Sequence, residues 1–275
     1  MSNTMRSLDS WVQYLSENEI PVLRQTVRSM AAARANIDMV NGREISSLVL
    51  NDPMMTLRVF AYIRPFHGKR VLQEITTVAH ATMMLGVEPF FRHFEHLTEI
   101  ENVLKPHPQA MLRLLQVIRR AQRAARYAYI WATWRVDLNI EEVTVAALLH
   151  DTAEIMMLCF APQQAMQIYA LQQADHHMRS ATAQERILGF PLRDLQQALC
   201  KHWQLPELLL NLIDDGKADI PRVKNVKLAA DLARHSANGW DDPALPDDYT
   251  AIEALLNISH EDLMNKLGLQ QEASK

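Results

Sequence analysis

The chain has 275 residues, 48% of them apolar and 22% charged, with a formal net charge of −4. Such a composition supports a large buried core and excludes a disordered chain. The small net charge excludes a nucleic-acid sink and an acidic tail, although local charge is uneven.

Glycine is scarce, with seven in the chain, and each falls where a helix should stop. Ala, Leu, Met, Gln, Glu and Arg dominate, and β-branched residues rarely alternate, so the expected fold class is all-α. In chain order, residues 8–18 carry a helical stripe of Leu8, Trp11, Val12 and Leu15 that ends before Ile20-Pro21. Helices follow over 22–35 and 43–50, with Asn41 and Gly42 marking the turn between them. Asn51-Asp52-Pro53 reads as a cap with proline at the first helical position, opening a helix over 53–64. Pro65 and Gly68 break the chain. A helix over about 71–85, with Ile75, Val78, Ala79, Met83 and Leu85 apolar, stops at Gly86. Another spans 88–104 and buries Phe90, Phe91, Phe94 and Leu97.

Pro106 and Pro108 mark the clearest break, read as a hinge between two lobes near residues 105–110, whose cleft is the expected recognition site. Neither proline nor glycine occurs between Pro108 and Pro162, which fits one helix over 109–135 and one over 140–160. Asn139 with Glu142 looks like a capping box, and Thr182 with Glu185 and Ser259 with Asp262 look like further caps. Later helices fit 162–178, 182–188, 191–203, 206–214, 221–237, 249–256 and 260–267. The stretch 239–248 reads as an acidic surface loop. The division is thus an N-terminal helix (1–17), a main domain (18–215) and a C-terminal helical appendage (216–275). Cys159 and Cys200 sit in apolar helical patterns, as buried cysteines of a reducing compartment do. No apolar run is expected to reach the roughly 18 residues that span a bilayer. The opening MSNTMRSLDSW has no apolar signal core, so no membrane association and a cytoplasmic location are expected.

The most informative segment is VAALLHDTAEIMMLCF, Val145 to Phe160. A histidine and an aspartate in a helix apolar on all sides are costly unless something bonds them. The ordinary reading of such a pair is mutual satisfaction within the core. The functional reading is a metal site, because neutral imidazole and carboxylate are complementary ligands for a divalent ion.

The "LLHD" segment resembles the HD superfamily of metal-dependent phosphohydrolases, and its surroundings resemble the HDOD branch of bacterial signal-output domains, related to the HD-GYP phosphodiesterases. Matching pieces occur in order: Ile20-Pro21-Val22-Leu23, then ISSLVLNDPMMTLRVF centred on Asp52-Pro53, ITTVAHATMMLG, VTVAALLHDTAEIMML, and LCKHWQLPELLLNLI with Trp203, Leu205 and Pro206. The resemblance covers roughly 18–215 and implies a multi-helical HD-like bundle.

It also implies ligands that the sequence lacks. An upstream histidine is expected about 25–30 residues before His150, where QRAARYAYIW has none; the nearest preceding one is His107. Leu192 stands where a downstream histidine is often kept, and Asp214-Asp215 replace a histidine pair. Ala153 and Glu154 follow the His-Asp, where the family has glycine and lysine. His150 and Asp151 are therefore expected as a remnant pair without a catalytic metal, since a stable catalytic site holds at least about three protein ligands. His176, His177, His202, Asp194, Asp214 and Asp215 are the candidates for rebuilding such a site, and His176-His177 also suit a solvated helix end.

Charge patterning marks a second candidate. No acidic residue occurs from Lys105 to Arg135, and Arg119, Arg123 and Arg126 recur at one helix face. They could hold phosphates of a nucleotide, or simply form a solvated face that pairs with the acidic C-terminal third. Trp131, Trp134 and the fourteen methionines read as core. No cofactor box, phosphate-cradling loop or nucleic-acid signature appears. The expected function is a non-catalytic HDOD-like regulatory module that meets a signalling partner or a small ligand. The alternatives are a metal-dependent phosphohydrolase and a nucleotide sensor.

Overall fold

Helix-forming sequence becomes helix nearly throughout the computed structural model, which describes residues 7–63, 74–135, 138–175 and 178–269. The first helices are α1 (Leu8–Ser16), α2 (Arg24–Ala35), α3 (Gly42–Leu50), α4 (Pro53–Ile63), α5 (Val78–Leu85), α6 (Val87–His93) and α7 (Ile100–Val103). Next come α8 (Pro108–Trp134), α9 (Ile140–Leu149), α10 (Thr152–Phe160), α11 (Pro162–Ala174), α12 (Ser180–Leu188), α13 (Leu192–His202) and α14 (Glu207–Leu212). The chain closes with α15 (Pro221–His235), α16 (Leu245–Leu256) and α17 (His260–Leu267). Among the described residues no strand forms, so the fold is all-α as expected; one parallel bridge joins Val22 to Glu99. The break expected at Pro65 and Gly68 lies outside the described residues.

Several caps act as the sequence implies. The Asp52 carboxylate accepts the backbone N–H groups of Met54 and Met55 at the start of α4, and Ser259 caps α17 through Asp262. Gly86 ends α5 at φ 80°, a conformation that side chains disfavour. A full capping box forms at Asn41 and Glu44, not at Asn139. Asn139 does cap α9, but Glu142 turns away to accept from the Thr76 hydroxyl. Thr182 is no cap, because α12 has already begun at Ser180. Gly42 opens a helix, contrary to the expectation that every glycine ends one.

The helices expected over 71–85 and 88–104 are shorter or broken, each for a tertiary reason. Residues 74–76 stay outside α5, and the Glu74 carboxylate instead caps α14 by accepting from the backbone of Glu207 and Leu208. The span 88–104 splits into α6 and α7, because the backbone around Thr98 and Ile100 pairs with Val22. The acidic loop is shorter than expected: α16 starts at Leu245, with Pro246 and two aspartates in its first turn, as helix N-termini favour.

The core is built around α8. Ala121, Ala124, Ala125 and Ala128 are buried along it and leave room for α9 and α15 to lie close against it. One large apolar cluster runs from Trp11 on α1 to Leu263 on α17, crossing the Pro106–Pro108 segment without interruption. The C-terminal helices contribute Val226, Leu232, Leu245 and Ile252 to that same core. Met83 is 80% exposed and Trp134 40% exposed, against the expectation that both are apolar core positions; the Lys266 ammonium lies over the Trp134 ring. Both cysteines are buried, which pushes their thiols up, Cys200 to about 12.

One stretch overturns the expectation about apolar length. Ile140–Phe160 is long and apolar enough to cross a membrane by composition, yet 72% of its most apolar part is buried inside the helical body. Burial against other helices is how a core segment of this kind satisfies its apolar surface.

Candidate functional site

The helix expected over 140–160 breaks at His150-Asp151. Asp151 leaves the helical region at φ −101°, ψ 19°, and α10 starts afresh at Thr152. A break inside the core frees backbone groups that must find partners. Gln196 of α13, 4% exposed, supplies them: its amide oxygen accepts from Ala153 N–H at 2.6 Å and its amide nitrogen donates to the Leu149 carbonyl at 2.8 Å. The Thr152 hydroxyl donates to the same carbonyl at 2.7 Å. These bonds brace the kink, which turns both His150 and Asp151 toward one side of the helix pair.

On that side stands Arg120 of α8, 7% exposed. Its guanidinium donates to Asp151 Oδ2 at 2.7 Å and to Glu154 Oε2 at 2.6 Å. Arg113, one helix-face step earlier, donates to Glu154 Oε1 at 3.0 Å and lies over the Tyr169 ring at 4.6 Å. From α15, Arg234 approaches Asp151 Oδ1 at 3.7 Å. His150 lies between two carboxylates, with Nε2 3.1 Å from Asp215 and Nδ1 3.5 Å from Asp151. The result is an interlocked charge cluster, buried at Arg120, His150 and Asp151 and open toward Asp215 and Arg234, drawn from α8, the α9–α10 break, the turn at Asp215 and α15.

Its titration follows from that geometry. In Asp151, Glu154, Asp215, His150 and Arg120, burial works against charge and the opposite charges win. Burial would raise the Asp151 carboxyl, but Arg120 beside it holds it well below the usual range. Burial would raise Glu154 and Asp215 too; Arg120 and Arg113 lower the first, and His150 lowers the second. Burial would lower His150, but its hydrogen bonds to Asp151 and Asp215 push it up to about 9. Arg120 is raised despite burial by Asp151 and Glu154.

The cluster forms one wall of a cavity of about 800 Å³. The rest of its lining carries apolar Met157 from α10, Ile168 from α11 and Leu192 from α13 beside polar Gln172, Gln184 and Asp194. Its volume lies in the range of small-ligand sites. The HDOD domain model matches this chain over residues 20–217, which takes in α9, the kink, α10 and the turn at Asp215.

The chain belongs to the HDOD family.

Solved structures with a similar fold include the MmoQ response regulator from Methylococcus capsulatus, at TM-score 0.66 and 17% identity over 92% of this chain and 99% of that one. A virulence factor from Campylobacter jejuni matches at TM-score 0.65 and 18% identity, over 96% and 93%. An HDOD domain protein of unknown function from Geobacter sulfurreducens matches at TM-score 0.50 and 21% identity, over 95% of each. At these identities the likeness is one of fold. No curated protein matches the chain.

Within this HDOD domain, the residues singled out by sequence are brought together only in part. His150, Asp151, Asp214 and Asp215 line the cavity, and Asp214 caps the turn at Asp215–Lys217 by accepting from Gly216. Asp194 lines its outer rim beside Arg193. His202 is exposed and lies away from the cavity, and His176 and His177 lie outside the described residues. Arg119 and Arg126 are exposed, and Arg123 donates to the Ser236 carbonyl at 3.1 Å; none of the three lines the cavity. The cavity also stands away from the expected cleft at 105–110.

Sequence reading missed Arg113, Arg120, Gln196, Lys227 and Arg234. Arg120 had a usable signal: it sits at the N-terminal edge of the interval searched for an upstream ligand, on the buried stripe with Val117 and Ala124, while its neighbours Arg119 and Arg123 lie outside that stripe.

The residues present bond one another through the groups that a divalent ion would take. Metal ligation needs a neutral imidazole and free carboxylate lone pairs. Here both ring nitrogens of His150 face carboxylates, and Arg120 takes up the carboxylate faces of Asp151 and Glu154. Among the described residues, no three His, Cys, Asp or Glu side chains are grouped to hold a metal.

Proposed function

We propose that this HDOD protein is a non-catalytic regulatory module that works by binding, with the cavity beside His150 and Asp151 as its ligand site and a signalling protein as its partner. The observation that carries this reading is the Arg120 guanidinium at 2.7 Å from Asp151 and 2.6 Å from Glu154. A permanent side-chain cation neutralises the carboxylates that a hydrolytic centre would need for an exchangeable metal and its activated water. A guanidinium lowers no water pKa and has no open coordination position, so the site keeps its shape and loses that chemistry. The kink braced by Gln196 supports recognition, because a binding surface needs a fixed frame more than a reactive centre. A response regulator among the fold neighbours is in keeping with a signalling role.

The test is metal analysis of the purified protein together with turnover assays on nucleotides and cyclic dinucleotides in added Mn²⁺, Mg²⁺ or Zn²⁺. The expected outcome is metal well below stoichiometric and no hydrolysis. Stoichiometric metal with turnover abolished by Asp151→Ala would overturn the reading in favour of a phosphohydrolase.

A further inference from the structure

The hydrogen-bonding capacity of the charged wall is unevenly spent. Asp151, Glu154 and Asp231 each have both carboxylate oxygens facing a cationic side chain: Arg120, His150 and Arg234 around Asp151, Arg113 and Arg120 on Glu154, Lys227 and Arg234 on Asp231. Donors are left over. Arg234 has five N–H groups and makes one hydrogen bond, to Asp231 at 3.0 Å, while Asp151 stands off at 3.7 Å. Lys227 has three and makes one, also to Asp231. Both side chains are 36% exposed and line the cavity from α15. Nε of Arg113, on the same wall, is buried without an acceptor. Asp215, on the same wall, spends Oδ1 on His150, so the spare donors of Arg234 and Lys227 outnumber the spare carboxylate oxygens beside them.

The facing wall asks for something different. Met157, Ile168 and Leu192 offer no hydrogen bonding, and a polar group seated against them, between polar neighbours such as Gln172 and Gln184, would lose part of its hydration. We infer that the cavity binds a small amphipathic oxyanion, its carboxylate or phosphate-ester head held by Arg234, Lys227 and Arg113 and its apolar body laid against α10, α11 and α13. Charge-assisted bonds from arginine to such heads are among the strongest available to a protein. Two of the three cations come from α15, beyond the residues matched to the HDOD family, so a ligand here touches the HDOD body and the C-terminal helices at once. The inference rests on the cavity being a ligand site, as proposed above, and adds the chemistry of its occupant.

Titration calorimetry on the full chain tests it, with octyl phosphate and octanoate as probes and 1-octanol as the neutral counterpart. The expected result is saturable one-to-one binding of at least one anionic probe, with octanol at least about tenfold weaker. The better of the two anions then identifies the head group. Lys227→Gln combined with Arg234→Gln is expected to weaken binding at least about tenfold, the scale of one or two lost charge-assisted bonds. Ala181→Trp, which narrows the apolar side from α12 without touching a charge, is expected to weaken it comparably and carries the test if the double variant does not fold. Absence of binding by both anions, equal binding of octanol, or unchanged affinity in a folded double variant would overturn the inference. Failure of the probes in a metal-free, inactive protein would discard the ligand class and leave the regulatory reading standing; stoichiometric metal with turnover would remove both.

Discussion

Arg120 and Asp151 stand thirty-one positions apart in the chain and 2.7 Å apart in the fold, with side-chain exposures of only 8% and 11%. A buried ion pair of this kind stabilises little against an apolar alternative, but losing one partner leaves a charge stranded. Arg120→Ala is therefore expected to destabilise the protein by about 3–5 kcal/mol in urea unfolding. Arg120→Met combined with Asp151→Leu should recover much of that loss, since Glu154 keeps Arg113. A double variant no more stable than Arg120→Ala would show that the pair is not the source of the cost.

Gln196 holds the two ends of the kink, so its amide serves as backbone for a broken helix. Gln196→Ala strands the Ala153 N–H and exposes the Leu149 carbonyl to loss of one partner, and about 2 kcal/mol or more should disappear. Gln197→Ala next to it removes a single bond of 3.4 Å and should cost less than about 1 kcal/mol. Thermal unfolding of the two variants side by side distinguishes a kink-specific effect from general loss of a glutamine.

Asp52 joins the entry to α2 and the start of α4. Fully buried, it accepts from Leu23 N–H, the Thr26 hydroxyl, and the N–H groups of Met54 and Met55. Asp52→Ala should cost about 3 kcal/mol or more, because a helix cap and an inter-helix tie are lost together. Asp52→Asn, which keeps an acceptor, should cost clearly less; parity between them would argue against the tie.

His235 on α15 bonds Asp248 on α16 at 2.6 Å, and that hydrogen bond outweighs burial to raise the imidazole above its ordinary value. An imidazole raised on folding contributes fully below its unfolded value of roughly 6.5 and loses that contribution as pH climbs through the folded value. The stability difference between the wild type and His235→Gln should thus be larger at pH 6 than at pH 9. A difference that grows with pH would refute the assigned pairing.

His150 should carry both ring protons at neutral pH, because its hydrogen bonds to Asp151 and Asp215 overcome burial and hold it near 9. Asp215→Asn removes one of those carboxylates, and NMR titration of the imidazole should show its midpoint moving down. An unshifted midpoint would mean that Asp215 does not face the ring in solution.

Much of this architecture could be read before any coordinates. Proline and capping residues placed α4, α8, α9, α11 and α17 close to their observed starts, because capping and the fixed φ of proline act within a few residues. The His150-Asp151 pair stood out for an equally local reason, as two polar residues inside a dense apolar run. The breaks at 94–99 and 150–151 were hidden, since their cause lies in Val22 and Gln196, which reach them from elsewhere in the chain. The partners of Arg113 and Arg234 were hidden for the same reason: nothing in the neighbouring residues says that Glu154 and Asp151 lie opposite.

By itself, then, the sequence determined the all-α class, the helix punctuation and the position of the polar pair, because propensity, capping and amphipathic period are properties of short windows. Only the tertiary structure decided what that pair touches. Arg120, Asp215, Gln196 and Arg234 converge on it from four separate segments, and side-chain electrostatics acts through distances of a few ångströms in space, whatever the separation along the chain.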